Sequence, residues 1–241
     1  MQVDVKNIPA LPRISPASAL LHAEIVNVNI DLQLAMQQIS GLINSIRHTI
    51  SGVAVPVVHF ACAYEDEGAE TIAFQVAAAS AFSGKRVLLI DASAGQRSLR
   101  EQIPGKPVPS LTRFISHSEV ESPFLMAQGT SLYFSGLGEA SGDDLLLPDE
   151  IAIRSLMDQL RMNFDLIVIE SEGALKQPGA AALSGAADAT VLVVQAERTR
   201  MPVLRELQRM LESHGGKIVG TVLNKRRFYI PRFLYPIFFR R

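Results

Sequence analysis

The feature that most constrains this chain is a series of short runs that are apolar at nearly every position, not at every second one. They are Val53–Cys62, Arg86–Asp91, Leu132–Leu137, Leu166–Glu170, Thr190–Gln195 and Ile218–Leu223. A strand with one wet face alternates apolar and polar residues, whereas a strand covered on both faces does not. Helix-compatible segments lie between the runs. Thr71–Phe82 is rich in alanine, Ile153, Leu156, Met157 and Leu160 mark one helical face, and Val203, Leu207, Met210 and Leu211 mark another. Strands alternating with helices predict an α/β fold: a doubly wound, mostly parallel sheet with helices on both faces. With 48% of its 241 residues hydrophobic, the chain can build the core this demands.

Three stretches are expected. Residues 1–50 read as a lead-in followed by a helical segment. Residues 1–16 are Pro-rich and polar, and from Ser18 to His48 the apolar Leu21, Ile25, Val28, Leu32, Ile39, Leu42 and Ile46 recur near helical spacing. The alternation at Val26–Ile30 interrupts that pattern. Residues 51–224 form the α/β domain, with 95–130, rich in Pro, Ser and Gln, expected as a surface excursion. Residues 225–241 are a basic–aromatic tail. A net charge of −1 supplies no global field to attract nucleic acid, so no nucleic-acid partner is expected. The single cysteine, Cys62, excludes an intramolecular disulfide and fits a reducing compartment. The sequence shows neither a secretory signal nor an apolar run near the roughly 20 residues of a spanning helix. The expected location is cytoplasmic, with peripheral attachment to the inner face of the cell membrane left open.

Chemistry in such a fold is sought in the turn after the first strand, where a helix N-terminus offers unpaired N–H groups to an anion. That segment reads Ala61-Cys62-Ala63-Tyr64-Glu65-Asp66-Glu67-Gly68-Ala69-Glu70-Thr71. A working phosphate loop reads G-x-x-x-x-G-K-[ST]: glycines wrap the phosphates, lysine supplies charge and the hydroxyl holds Mg²⁺. Only Gly68 and Thr71 meet that demand, while Glu65, Asp66, Glu67 and Glu70 oppose it. Taken alone, the segment is sufficiently explained as an acidic helix N-terminus favoured by the helix dipole.

The order of the segments along the chain adds a resemblance. The loop, Gly84-Lys85-Arg86-Val87-Leu88-Leu89-Ile90-Asp91-Ala92-Ser93, Leu132–Gly138, Phe164-Asp165-Leu166-Ile167-Val168-Ile169-Glu170, Ala187–Gln195 and Gly220-Thr221-Val222-Leu223-Asn224 come in sequence. This series resembles the bacterial tyrosine kinases and their ParA/MinD-like P-loop relatives, which accompany exopolysaccharide chain-length and export proteins. The resemblance covers about Pro56 to Asn224 and implies a P-loop NTPase-like fold. It also implies ATP and Mg²⁺ as cofactors, and Asp91, Glu170 and Asn224 as residual site positions. The departures fall on the chemistry. Asp66 stands where the family has a loop glycine, Ala69 where it has the phosphate lysine, and Glu70 where it has the Mg²⁺ hydroxyl. Glu170 replaces the Walker B aspartate and Ser93 the second aspartate of D-A-D. Phosphoryl transfer rests on positive charge and metal at the transferred group, so no catalytic residue, cofactor or metal is expected. A buried or capping role is the simpler reading of Asp91 and Glu170.

In the tail, Lys225, Arg226, Arg227, Arg232, Arg240 and Arg241 interleave with six aromatics and no acid. That composition suits an anionic membrane interface or a membrane-protein partner. Packing of the aromatics on the sheet or on another subunit is the alternative, and oligomer formation stays open. Tyr229 and Tyr235 are separated, unlike the clustered tail tyrosines of the family. The reading is therefore a non-catalytic regulatory or scaffolding partner in exopolysaccharide biosynthesis or export, bound to a membrane chain-length or export protein. The alternatives are an active tyrosine autokinase or ATPase of the same pathway, and a ParA/MinD-like positioning factor at the membrane.

Overall fold

The computed structural model describes residues 23–26, 32–93, 103, 106, 108–112, 122–137, 139–141, 144–146, 150–171, 173–177 and 179–225. The strands are β1 (Glu24–Val26), β2 (Val57–Cys62), β3 (Val87–Asp91), β4 (Leu125–Ala127), β5 (Leu132–Gly136), β6 (Glu139–Ser141), β7 (Asp144–Leu146), β8 (Leu166–Ser171), β9 (Ala189–Gln195) and β10 (Ile218–Asn224). The helices are α1 (Leu32–Thr49), α2 (Ala69–Phe82), α3 (Glu150–Leu160), α4 (Gly179–Ala186) and α5 (Met201–Ser213).

Eight strands form one sheet in the order β1-β4-β5-β3-β8-β2-β9-β10, and β6 pairs with β7 as a separate hairpin. Every pairing in the large sheet is parallel except β4 with β5. The doubly wound, mostly parallel sheet expected from the apolar runs is therefore present. In β2, β3, β5 and β8 every residue is buried, as strands covered on both faces require. β10, an edge strand, is only partly covered.

The two faces are packed differently. On one, α2 lays Ala73, Val76, Ala77 and Ala81 against Val58, Phe60, Leu89 and Val168, and α1 adds Ile39 and Ile46. Alanine lets the helix sit close to the sheet at little cost in side-chain entropy. Ser83 and Gly84, the latter left-handed with φ 89°, end α2. On the other face, Ile153, Leu156, Met157 and Leu160 of α3 meet Leu88, Ile90, Ile167 and Ile169. Farther along it, Leu207 and Leu211 of α5 pack with Ala61 and Leu192.

The break in the helical pattern after Ser18 has a cause, and one expectation is corrected. Glu24–Val26 is a strand in parallel register with Leu125–Ala127, and α1 spans Leu32–Thr49. Pairing with a distant strand overrides the local helical spacing. The stretch 95–130 is not wholly a surface excursion. Leu125–Ala127 is β4, and Ile103, Leu111 and Phe124 are buried. Phe124 stacks edge-to-face on Phe164 at 5.3 Å, in a cluster with Tyr133 that seals this side of the core. Among the described residues no helix is long and apolar enough to cross a membrane.

Candidate functional site at the phosphate loop

β2 delivers the chain to the C-terminal edge of the sheet, where 63–68 form the turn that leads into α2. Ligands of open α/β sheets bind at this edge. Two residues of the turn are left-handed, Asp66 with φ 65° and Gly68 with φ 93°. Aspartate tolerates that conformation better than most residues with a Cβ, so the loop keeps its bend where the pattern calls for glycine. Gly68 is needed for space as well as for φ. A Cβ there would lie 2.2 Å from Asn224 Nδ2.

Glu67 is fully buried. Its Oε2 accepts the Tyr64 N–H at 3.1 Å and its Oε1 accepts the Thr199 hydroxyl. Its backbone carbonyl accepts the Asn224 side-chain amide at 3.0 Å. The Lys225 ammonium donates to the carbonyl of Asp66, and Lys225 itself is left-handed with φ 53°. Ala69, the first residue of α2, is fully buried. Glu70 sits in the first turn of the helix, where an acid is favoured by the dipole, and accepts the Thr71 hydroxyl at 2.9 Å.

Asp91 ends β3 and Glu170 is the last residue but one of the adjacent β8, and the two are register partners. Leu89 and Val168, two residues earlier on each strand, belong to the core under α2, so both carboxylates belong to that face. Both are fully buried. Asp91 Oδ1 accepts the Ser93 N–H at 2.8 Å and the Ser93 hydroxyl at 2.5 Å, closing the turn after β3. On the opposite face, His59 Nε2 lies 2.7 Å from Ser171 Oγ, and complete burial lowers the imidazole pKa to about 3.

The structure thus brings Asp66, Glu67, Gly68 and Asn224 together, with Asn224 bonded to Glu67 and packed close to Gly68, and Lys225 bonded to Asp66 from the root of the tail. Arg226, Arg227, Arg232, Arg240 and Arg241, and with them Tyr229 and Tyr235, lie outside the described residues. Two participants, Thr199 and the His59–Ser171 pair, were not legible as site residues. Thr199 carries no motif. A histidine inside an apolar strand run was the one signal available for the other.

At the opposite edge, a polar cleft of about 290 Å³ opens between the C-terminal ends of α3 and α4 and the turn after α5. Arg154, Arg161 and Lys217 line it together with Asp158 and Asp188. Helix C-termini carry partial negative charge, and basic side chains there offset it. Arg161 is further tied to Asp188 at 2.8 Å and to the Val55 carbonyl.

No protein-family model matches the chain. The succinoglycan biosynthesis transport protein ExoP of Rhizobium meliloti is 30% identical over 182 residues, which is 73% of this chain and 23% of ExoP. The chain therefore spans under a quarter of that relative's length. The tyrosine-protein kinase CpsD of Streptococcus agalactiae is 24% identical over 186 residues, covering 76% of this chain and 81% of CpsD. Among solved structures, the kinase domain of the Escherichia coli tyrosine kinase ETK superposes with a TM-score of 0.66 at 16% identity, covering 95% of this chain and 98% of that domain. The septum site-determining protein MinD of Pyrococcus horikoshii, complexed with Mg-ADP, superposes with a TM-score of 0.56 at 18% identity over 76% of each chain. With the ordered landmarks and this sheet topology, they identify the chain as a homologue of the bacterial tyrosine kinases of exopolysaccharide systems, built on the P-loop fold it shares with MinD.

Proposed function

We propose that this chain is a non-catalytic regulatory or scaffolding partner in exopolysaccharide biosynthesis or export. It acts by binding a membrane chain-length or export protein, not by transferring phosphate. The observation that carries this reading is Ala69, fully buried at the start of α2 where a phosphate loop places its lysine. The residues around it do not fit Mg-ATP. Glu70 puts a carboxylate where the pattern has a metal-binding hydroxyl. The Tyr64 N–H, a donor of the loop, is bonded to Glu67. The Lys225 ammonium is bonded to the Asp66 carbonyl. Without the loop lysine and the metal-binding hydroxyl, the charge that develops in phosphoryl transfer lacks the partners the pattern supplies. Asp91, bonded to Ser93, acts as a turn cap.

The partner surface includes the tail from Lys225 to Arg241. Each Lys or Arg near an anionic surface adds roughly 1 kcal/mol, so binding through the tail is weak and salt-sensitive. The protein works at the cytoplasmic face of the membrane.

Calorimetric titration with ATP and Mg²⁺, alongside a phosphotyrosine blot, tests the reading on the unmodified protein. The expected result is no binding heat in the micromolar range and no ATP-dependent phosphorylation of Tyr229 or Tyr235. Either signal favours an active autokinase instead. A clean deletion is expected to change the amount or length of a surface polysaccharide.

A further inference from the structure

We propose that Glu67 serves the phosphate loop as a built-in anion, and that Asn224 and Lys225, at the root of the tail, clamp the loop around it, so that whatever displaces the tail root loosens the loop. The inference rests on the nucleotide-free reading of the same site.

A phosphate loop is a bend whose N–H groups turn toward an anion. Without one, those donors face water or nothing, and the left-handed residues of the bend cost free energy that nothing offsets. Here the bend is present, with Asp66 and Gly68 left-handed, and a carboxylate of the loop itself takes one of the donors. Glu67 is completely buried, and its carboxylate meets two donors among the described residues, the Tyr64 N–H and the Thr199 hydroxyl. Both are neutral. A buried carboxylate held this way is costly unless its bonds persist, so the loop and the β9–α5 turn that carries Thr199 hold or release it together.

The second half of the clamp comes from outside the loop. The Asn224 amide and the Lys225 ammonium take consecutive carbonyls, those of Glu67 and Asp66. Asn224 also fills the space where a side chain at residue 68 would go. Lys225 reaches the Asp66 carbonyl from a left-handed backbone, with φ 53°. The two residues that hold the loop by its carbonyls are thus the end of β10 and the first residue of the tail. Force or binding on the tail acts first on these bonds.

Hydrogen exchange resolved to the segment 62–72, in the full chain without nucleotide, tests the clamp. In the unmodified protein the loop amides are expected to exchange slowly. Glu67→Ala should speed them about tenfold. Lys225→Ala and Asn224→Ala should do so by smaller factors, while the β2 amides at 57–61 keep their protection. Thr199→Val, nearly isosteric, serves as the milder variant should Glu67→Ala fail to fold. Unchanged loop exchange in the variants, or a rise shared equally by β2, overturns the clamp and leaves the proposed function standing. Protection of the unmodified loop by Mg-ATP overturns the proposed function, and the variants then still decide whether Glu67 closes the empty loop.

Discussion

The two ends of the central sheet hold charge in opposite ways. At the N-terminal end, carboxylates meet guanidinium groups and also fix the starts of strands. Asp165 accepts the Arg86 N–H at 2.8 Å and the Arg86 side chain at 2.9 Å. That side-chain bond, first among the causes, holds the Asp165 carboxyl below its usual range. Asp188 accepts the Val57 N–H at 2.7 Å and Arg161 Nη2 at 2.8 Å. At the C-terminal end, Glu67 passes below the surface and meets neutral donors. An acid paired with arginine at a half-wet edge is an ordinary structural device. A buried acid held by an N–H and a hydroxyl belongs to a loop shaped around an anion. Counting acids along the sequence does not separate the two.

Variants at the two ends test this contrast, from the largest expected effect downward. His59 lies under the C-terminal end and stays neutral in the fold down to about pH 3, whereas the unfolded chain takes up a proton near the ordinary histidine value of 6.5. The unfolded state therefore binds more protons between these values. Stability should be complete above about pH 6.5 and fall as pH drops toward 3, by on the order of 4 kcal/mol in all. Urea midpoints measured from pH 7 to pH 4 check this, and His59→Leu should have a flatter profile than the unmodified protein. An equal slope in the variant would assign the acid sensitivity elsewhere.

Next in size is the N-terminal pair. Asp188→Ala leaves the Val57 N–H without its acceptor and Arg161 with only the Val55 carbonyl and Asp158, and a loss of about 3 kcal/mol is expected in denaturant unfolding. Gly68→Ala should cost about 2 kcal/mol, from the positive φ and the encounter with Asn224. Loop exchange in that variant should rise as well, which Asp188→Ala should not reproduce. The smallest effect belongs to Arg86→Ala. The side chains of Arg86 and Asp165 are 44% and 41% exposed, so less than about 1 kcal/mol is expected, shrinking further with added salt.

The strands were legible because burial on both faces leaves a trace in each residue: the expected Leu166–Glu170 and Thr190–Gln195 differ from β8 and β9 by one residue at an end. β1 and β4 left no such trace. Each has three residues, too few to establish a period; β1 becomes a strand by pairing with β4 across about a hundred residues, and β4 by pairing with both β1 and β5. The site divides along the same line. The place of the loop follows from the strand before it and the helix after it. The role of Glu67 rests on Thr199, 132 residues away, and on Asn224, 157 away, so no local pattern announces it.

β2, the first long strand in sequence, lies between β8 and β9 in the sheet, with Val57 opposite Ile167 and Val58 opposite Ala189. During synthesis this fully buried strand leaves the ribosome well before either neighbour exists. At about 5–20 residues per second, more than a hundred residues amount to a delay of roughly 5–20 s. Throughout that interval the segment has its hydrogen-bonding edges, and the face away from α2, without their native cover. Non-local pairing of this kind slows folding and exposes the nascent chain to aggregation. The demand for chaperone protection should therefore concentrate on 57–62 until Ala189–Gln195 has emerged.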